Sequence, residues 1–199
     1  RNFLSVFRWS VAARDYLDTI PLRGAAKHMA YSQQTNRLYL AYPSGEITQI
    51  DLANSTAETD FVKTPAPACG LAAAGEFVFV CIPDGTWQIH SIYAPSGQLV
   101  SQADWNYYSQ EYVWSPANRR MYFLRDGISP NDLHWEEIDP TGAIVAAGES
   151  PYHDSQGFEH PIRIAPDAQY VLLGSGRIHD ATTLDKIDTL SNDITDAVW

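Results

Sequence analysis

The densest group of side chains that could bind a metal or transfer a proton lies in the stretch 149–161. After the glutamate at its first position it holds two imidazoles and two carboxylates, from His153, Asp154, Glu159 and His160. An imidazole beside a carboxylate can bind zinc or act as an acid–base pair. The spacing, however, matches neither a helical His-x-x-x-His pair nor a Cys-x-x-Cys set. We therefore predict no metal site and no catalytic residue here, and keep His153 and His160 as candidate ligand-binding residues.

A second stretch, 125–132, carries oxygen atoms that could bind Ca²⁺, from Asp126, Asn131 and Asp132. Dedicated calcium loops place such residues at regular Asp-x-Asp-x-Asp-Gly spacing, which this stretch lacks. Asp and Asn side chains also bond to their own backbone in turns. The stretch is therefore predicted to be a polar turn.

The segment 103–110 is rich in aromatic residues, with Trp105, Tyr107 and Tyr108 close together. Aromatic rings bury a large area, so these three could pack between neighbouring units of the fold. They could equally form a stacking platform for a sugar or a peptide. The sequence leaves both interpretations open, and all three are candidate ligand-binding residues.

These loops need a scaffold, and Tyr112–Leu124 indicates which one. Tyr112–Trp114 is aromatic and β-branched, as in strands. Ser115–Arg120 has turn chemistry, because proline fixes one φ angle and asparagine tolerates left-handed backbone. Met121–Leu124 is again an apolar run of strand length. The stretch is predicted to be a β-hairpin.

The hairpin recurs in His28–Leu40, Cys69–Val80 and Pro161–Leu173. The equivalent strand positions are Tyr31, Ala73, Trp114 and Ile164. These positions are 42, 41 and 50 residues apart, and two further strand-like runs follow each hairpin. Four short strands repeating at this period are typical of a β-propeller blade.

We therefore predict an all-β fold, a β-propeller of four-stranded antiparallel blades, with about four full blades and a partial blade at each end. The predicted boundaries are 1–22 (partial), 23–63, 64–103, 104–149, 150–191 and 192–199 (partial). Leu4–Val11 and Tyr16–Leu22 are expected to be the last two strands of one blade, and Asp196–Trp199 the first strand of another. Either the chain is part of a larger propeller, or its two ends build a composite fifth blade.

The register of the repeat indicates where a ligand could bind. Four residues before the aligned strand position, each unit reaches the rim of the central channel. The residues predicted there are Lys27, Cys69, Gln110 and His160. This set suits neither a metal ring nor a nucleophile with its base, so we expect it to contact a polar ligand or water. Lys27 and Gln110 join the ligand-binding candidates.

Composition excludes several partners. The chain has 13 Lys and Arg against 24 Asp and Glu, a formal net charge of −11. Such acidity argues against nucleic acid and against anionic membrane surfaces. No apolar run approaches the roughly 18 residues of a membrane span, so no membrane insertion is expected.

The two cysteines are predicted to be neighbours. If the hairpin turns about Gly75, Cys69 and Cys81 face each other across it. Opposed β-carbons lie about 4.5–5.5 Å apart, slightly more than the roughly 3.5–4.5 Å of a disulfide. A disulfide and two free buried thiols both remain open, and a disulfide would point to an oxidising compartment.

Three segments carry a resemblance to a known superfamily. Ser115–Leu124 and Ala165–Gly176 resemble the repeat hairpins of bacterial YVTN-type and lactonase-like β-propellers, and Asp180–Lys186 is similar to the end of their third strand. The resemblance implies a bacterial propeller that is extracellular, periplasmic or on the cell surface. No catalytic motif of that group matches residues of this chain.

The function expected from these observations is a non-enzymatic binding module without a cofactor, presenting a loop face to a protein or glycan. An alternative is an enzyme of lactonase or quinoprotein type with its site on the channel face. Exposed sheet edges could also pair with another chain or with missing blades.

Overall fold

The computed structural model describes residues 4–54, 57–127, 131–152 and 157–198. Within these ranges the secondary structure consists of short β-strands joined by turns. The strands are β1 (Ser5–Ser10), β2 (Asp15–Pro21), β3 (His28–Ser32), β4 (Arg37–Ala41), β5 (Glu46–Asp51), β6 (Glu58–Lys63), β7 (Gly70–Ala74), β8 (Phe77–Asp84), β9 (Trp87–Tyr93), β10 (Leu99–Trp105), β11 (Tyr112–Ser115), β12 (Arg120–Arg125), β13 (Asp132–Ile138), β14 (Ile144–Glu149), β15 (Ile162–Ile164), β16 (Tyr170–Leu173), β17 (Arg177–Asp180) and β18 (Lys186–Thr189).

The strands form one two-stranded sheet, β1–β2, and four four-stranded sheets that we call blade 1 (β3–β6), blade 2 (β7–β10), blade 3 (β11–β14) and blade 4 (β15–β18). In every sheet each strand pairs antiparallel with the next strand in sequence. The first strands of successive blades contact one another. The predicted all-β fold of four full propeller blades is therefore confirmed.

The apolar core consists of four clusters, each between two successive sheets. The first lies between β1–β2 and blade 1, and the others follow between blades 1 and 2, 2 and 3, and 3 and 4. Representative pairs, in that order, are Ile20 with Leu40, Tyr39 with Val80, Phe79 with Phe123, and Leu124 with Val171. Blades 1, 2 and 3 thus bury apolar side chains on both faces, whereas blade 4 has such a cluster only on the face toward blade 3.

In the turn between the first two strands of blade 3, the residue with left-handed backbone is not the one that the sequence favoured. It is Arg119, at φ 56°, and not Asn118. The Arg119 guanidinium donates to the carbonyl oxygens of Ile138 at 2.7 Å and Asp139 at 2.5 Å. These bonds to the neighbouring turn stabilise the unusual backbone of a non-glycine residue.

The register of the cysteine hairpin also differs by one residue. Its turn spans two residues, so Cys81 pairs with Gly70 and not with Cys69. Cys69 lies one step further along and donates its N–H to the carbonyl oxygen of Cys81 at 2.9 Å. Even so, the two Cα atoms are 5.3 Å apart and the sulfurs are bonded. Of the two open alternatives, the structure has the disulfide.

At the chain ends, β1 pairs with β2 and with no other described strand. The aromatic side chains of Phe7, Trp9 and Tyr16 are exposed on this sheet. The described residues 190–198 contain no strand, so the strand expected at 196–199 is not observed for its first three residues; Trp199 lies outside the described residues. Asp196 instead forms an ion pair with Arg163 of β15 at 2.6 Å. Among the described residues there is no helix long and apolar enough to cross a membrane.

Candidate functional site

A cavity of about 360 Å³ lies where the loops before the first strands of blades 1, 2 and 3 meet the loop between β12 and β13. We call it the mouth cavity. It is lined by Lys27, His28, Cys69, Gln88, Tyr108, Ser109, Gln110, Asp126 and Gly127. Three of the four predicted rim residues, Lys27, Cys69 and Gln110, are brought together there. The fourth, His160, lies behind Asp126 and bonds to it.

The wall of the mouth cavity formed by residues 105–110 is held by Ser109, which is buried. Its backbone N–H donates to the side-chain oxygen of Gln88 at 2.8 Å, and its hydroxyl donates to the carbonyl oxygen of Leu124 at 2.6 Å. The same hydroxyl accepts the indole N–H of Trp105 at 2.9 Å. These bonds tie blade 2 to blade 3 and fix the loop before any ligand arrives, which lowers the entropic cost of binding.

The three predicted aromatic residues take different places. Trp105 ends β10 and packs half-buried between blades 2 and 3, with its ring centroid 4.9 Å from that of Phe123. Tyr107 is half-buried, and the Arg125 guanidinium lies 4.7 Å above its ring. Tyr108 is 42% exposed and lines the mouth cavity. Of the two interpretations, packing between blades describes Trp105, and an accessible ring describes Tyr108.

Sequence reasoning missed one aromatic residue beside this cavity. Trp87, at the start of β9, is 38% exposed and lies with its ring centroid 5.8 Å from that of Tyr108. Tyr108 is held in place because its hydroxyl donates to the carbonyl oxygen of Thr86 at 2.7 Å. Trp87 and Tyr108 are thus two fixed, accessible rings. They meet because the start of β9 contacts the loop before β11. No local sequence pattern predicts this contact.

His160 lies behind Asp126 at the wall of the mouth cavity, between two carboxylates. Its Nε2 is 3.1 Å from both oxygens of Asp126, and its Nδ1 is 3.1 Å from Oε2 of Glu111. The hydrogen bonds to Asp126 and then Glu111 raise the pKa of His160 to about 9. The same imidazole lowers the pKa of Glu111. His160 is therefore an imidazolium at neutral pH, bridging the loop of blade 3 to the start of blade 4.

The charges around the mouth cavity are mixed. Arg163 lies 3.5 Å from Glu111 and 2.6 Å from Asp196, which extends the network away from the cavity. On the opposite wall, burial and then the charge of Lys27 lower the pKa of His28, so that this imidazole is neutral near pH 7. The cavity thus offers one ammonium group, one carboxylate, amides and a phenol ring to a ligand.

A larger cavity, of about 490 Å³, lies at the turns between first and second strands. It is lined by Tyr31, Ser32, Gln33, Gln34, Ala73, Gly75, Trp114 and Pro116. None of these lining residues carries a charge. Since charged and polar groups that converge on a cavity fix the orientation of ligands, the mouth cavity is the stronger candidate despite its smaller volume.

Sequence reasoning did not predict a buried polar cluster between blades 2 and 3. His90 donates or accepts through Nδ1 at 2.8 Å from Oε1 of Glu136 and through Nε2 at 3.0 Å from the Tyr112 hydroxyl. Burial raises the pKa of Tyr112 well above its usual value. His90 and Glu136 are 46 residues apart in sequence. These bonds lie in the buried interface and join blade 2 to blade 3.

Two other groups of sequence-based candidates remain. His153 and Asp154 lie outside the described residues. The oxygen-rich stretch 125–132 does not converge on one point: Asp126 bonds to His160, whereas the Asn131 amide donates to the carbonyl oxygen of Phe158 at 2.8 Å. Asn131 also accepts the N–H of Asp132 at 2.8 Å, as in a polar turn.

Comparison with known proteins places the fold. No protein-family model matches the chain, and no curated protein matches it by sequence. Among solved structures, dihydro-heme d1 dehydrogenase NirN in complex with DHE is similar, with a TM-score of 0.68 and 15% identity over 95% of this chain and 42% of that chain. A functionally unknown protein from Desulfotomaculum acetoxidans DSM 771 is similar with a TM-score of 0.70 and 14% identity, over 96% of this chain and 64% of that chain.

At these identities the likeness establishes the architecture, which is that of a β-propeller. The chain spans less than two thirds of the length of either solved structure. The narrower resemblance to YVTN-type and lactonase-like propellers stays a prediction, since no family model matches.

Proposed function

We propose that the protein is a non-enzymatic binding module that holds a neutral glycan in the mouth cavity. The observation that carries the proposal is the fixed, exposed ring of Tyr108 beside the polar groups of Gln110 and Asp126 in one cavity. Sugars present apolar C–H faces and a rim of hydroxyl groups, so a site for them combines an aromatic face with amides and carboxylates. The proposed partner is therefore a glycan and not a protein surface.

Size and charge support this ligand class. A cavity of about 360 Å³ is at the small end of ligand sites, which span roughly 300–1,000 Å³, and accommodates about one sugar ring. The chain carries a formal net charge of −11, which repels acidic polysaccharides and nucleic acids. A neutral sugar experiences no such repulsion. Trp87, beside Tyr108, extends the aromatic surface to a second sugar ring outside the cavity.

The state of His160 favours binding over catalysis. A general base works best with a pKa near the working pH. The two flanking carboxylates raise the pKa of His160 to about 9, so it is already protonated at neutral pH. In this state His160 holds Asp126 in position at the cavity wall. For the alternative, a lactonase- or quinoprotein-like enzyme, we find no comparable support in the geometry of the mouth cavity.

The disulfide bears on where such a module works. Cys69 lines the mouth cavity and is bonded to Cys81. Disulfides persist in oxidising compartments and are rare in the cytosol. We therefore include an extracellular, periplasmic or cell-surface location in the proposal. Fractionation of the source cells, with the chain recovered in the cytosol, is the result that contradicts this location.

The test uses the full chain with a panel of neutral oligosaccharides of glucose, xylose, mannose and N-acetylglucosamine. Binding is measured by calorimetry, and the emission of the exposed Trp87 serves as a second signal. Tyr108→Ala is expected to weaken binding about threefold to tenfold, from a stacking contribution of about 0.5–1.5 kcal/mol. Tyr31→Ala is the matched control, because Tyr31 is an equally exposed tyrosine, 51% exposed, at the uncharged cavity.

Two outcomes contradict the proposal. One is that none of the oligosaccharides binds at millimolar concentration. The other is that Tyr31→Ala weakens binding as much as Tyr108→Ala does, which moves the ligand to the uncharged cavity. Turnover of a lactone or redox substrate, abolished by a His160 variant that keeps its fold, favours the enzyme instead.

A further inference from the structure

Blade 3 holds a second group of polar side chains, separate from the mouth cavity. Asp132 and His134 are two residues apart on β13, so their side chains point to the same face of the sheet. Glu149, the last residue of β14, is the register partner of His134. One donor atom from each of the three side chains lies within 4.8 Å of the others.

Two of these side chains are held by the blade itself. Asp132 is fully buried, and its Oδ1 accepts the N–H of Leu133 at 2.8 Å and the hydroxyl of Ser150. The ring of His134, only 6% exposed, packs edge-on against Trp105, with centroids 4.8 Å apart. Groups that orient a donor in this way are the usual outer shell of a metal site.

The third side chain can adjust. Glu149 is exposed at the end of β14. Ligands of a tetrahedral ion with bonds of about 2.0–2.2 Å are roughly 3.4 Å apart. The three donors lie within 4.8 Å of one another, and rotation of the exposed Glu149 side chain can bring its carboxylate closer to the other two. A solvent molecule would take the remaining coordination position from the exposed side.

The donor set selects the kind of ion. One imidazole nitrogen and two carboxylate oxygens suit a first-row divalent transition metal, whereas Ca²⁺ and Mg²⁺ prefer oxygen ligands throughout. The positive side chain opposite Asp132 is that of Arg125, its register partner on β12. Two carboxylates against one guanidinium leave a net negative charge that a cation would neutralise.

We propose that Asp132, His134 and Glu149 bind one divalent transition-metal ion, of which Zn²⁺ is the representative. The ion would join the start of β13 to the end of β14 at the loop face of blade 3. Its site does not depend on the glycan proposal, since none of the three ligands lines the mouth cavity.

The experiment uses the full chain, stripped with a chelator and dialysed, and Zn²⁺ as the probe. We expect calorimetry to give one Zn²⁺ per chain at micromolar affinity, and Co²⁺ to give the visible absorption of a low-coordinate site. Glu149→Gln, which keeps size and removes the charge, is expected to weaken binding at least about tenfold. Glu159→Gln is the matched control, an exposed glutamate on the same loop face outside the group.

Asp132→Asn gives a second, independent variant and should also weaken Zn²⁺ binding at least about tenfold. If it does not fold, Glu149→Gln alone decides, because that side chain is exposed. The proposal is overturned if Zn²⁺ binds only at millimolar concentration. It is overturned equally if Glu149→Gln binds Zn²⁺ as tightly as Glu159→Gln does.

Discussion

Replacing His160 by glutamine should make the stability of the protein respond differently to pH. In the folded state Asp126 and Glu111 flank this imidazole, and its pKa is raised from 6.5 to about 9. Below pH 6.5 the side chain is protonated in both the folded and unfolded states, and its full contribution to stability is present. As the pH rises from 6.5 to 9, the unfolded state releases the proton first, and the contribution is lost.

The magnitude follows from the two pKa values. Each pH unit of difference corresponds to about 1.4 kcal/mol, so the largest possible contribution is roughly 3 kcal/mol. Because 29% of the His160 side chain is exposed, solvent screens the interaction, and we expect about 1–2 kcal/mol. Arg163 lies 3.5 Å from Glu111 and competes with His160 for that carboxylate. Like solvent screening, this competition reduces the contribution of His160 to stability.

The assay is urea denaturation of the wild type and His160→Gln at pH 6 and pH 9.5, at constant ionic strength. Groups that titrate equally in both proteins cancel in the difference. The wild type should exceed the variant by about 1–2 kcal/mol more at pH 6 than at pH 9.5. If the difference in stability is the same at both pH values, the stabilising interaction of protonated His160 with Asp126 and Glu111 is refuted.

His28→Gln is the matched control with the opposite sign. Burial and then Lys27 lower the pKa of His28, so the folded state resists protonation. For a lowered imidazole pKa, the unfolded state binds the proton first as the pH falls below 6.5. Toward acid pH the wild type should therefore lose stability relative to His28→Gln. Relative to His160→Gln, it should gain stability in the same direction of pH.

Three further changes test the packing of the blades. Replacing Cys69 and Cys81 by serine opens a crosslink of sequence separation 12 and should lower the free energy of unfolding by about 2–3 kcal/mol in denaturant titrations. Glu136→Ala leaves buried His90 without its partner at 2.8 Å and should cost about 3 kcal/mol, measured the same way. Gly174→Ala would place a Cβ on a backbone oxygen of the loop before β15 and should lower the melting temperature by several degrees, for a cost of about 2 kcal/mol.

Each of these changes has a control in the chain. Addition of reductant to the wild type should reproduce the loss seen in the double serine variant. Glu137→Ala removes the neighbouring glutamate, which lies 3.6 Å from Arg120 near solvent, and should cost below about 1 kcal/mol. Gly85→Ala adds a Cβ where no atom lies within 4 Å, although at φ 58°, and should cost about 1 kcal/mol. Equal losses at Glu136 and Glu137, or at Gly174 and Gly85, would contradict the packing argument.

The sequence predicted the blades because the information for them is local. Turn residues and alternating apolar side chains mark each hairpin, and the pattern returns at the period of a blade. Three of the residues that the repeat register predicted at the rim, Lys27, Cys69 and Gln110, line one cavity in the structure. The sequence did not show that the turn of the cysteine hairpin contains two residues, Gly75 and Glu76. The expected pairing of the cysteines was therefore wrong by one residue.

The contacts that the sequence did not predict form between strands that are far apart in the chain. No local sequence pattern indicates them. His90 meets Glu136 only when blades 2 and 3 stack. Asp132 was predicted to lie in a polar turn, whereas it is the first residue of β13 and shares a face of that strand with His134. Their contact with Glu149 depends on the register of β13 against β14, which the sequence did not predict.

The division of the core into four separate clusters determines how the molecule comes apart. Every cluster joins one sheet to the next along the chain, so cohesion is a nearest-neighbour quantity, as in a linear stack of repeats. Amide hydrogens of blades 2 and 3, each packed between two four-stranded blades, should exchange most slowly, and those of the β1–β2 sheet fastest. Local opening of the native state then begins at the ends of this stack and advances inward.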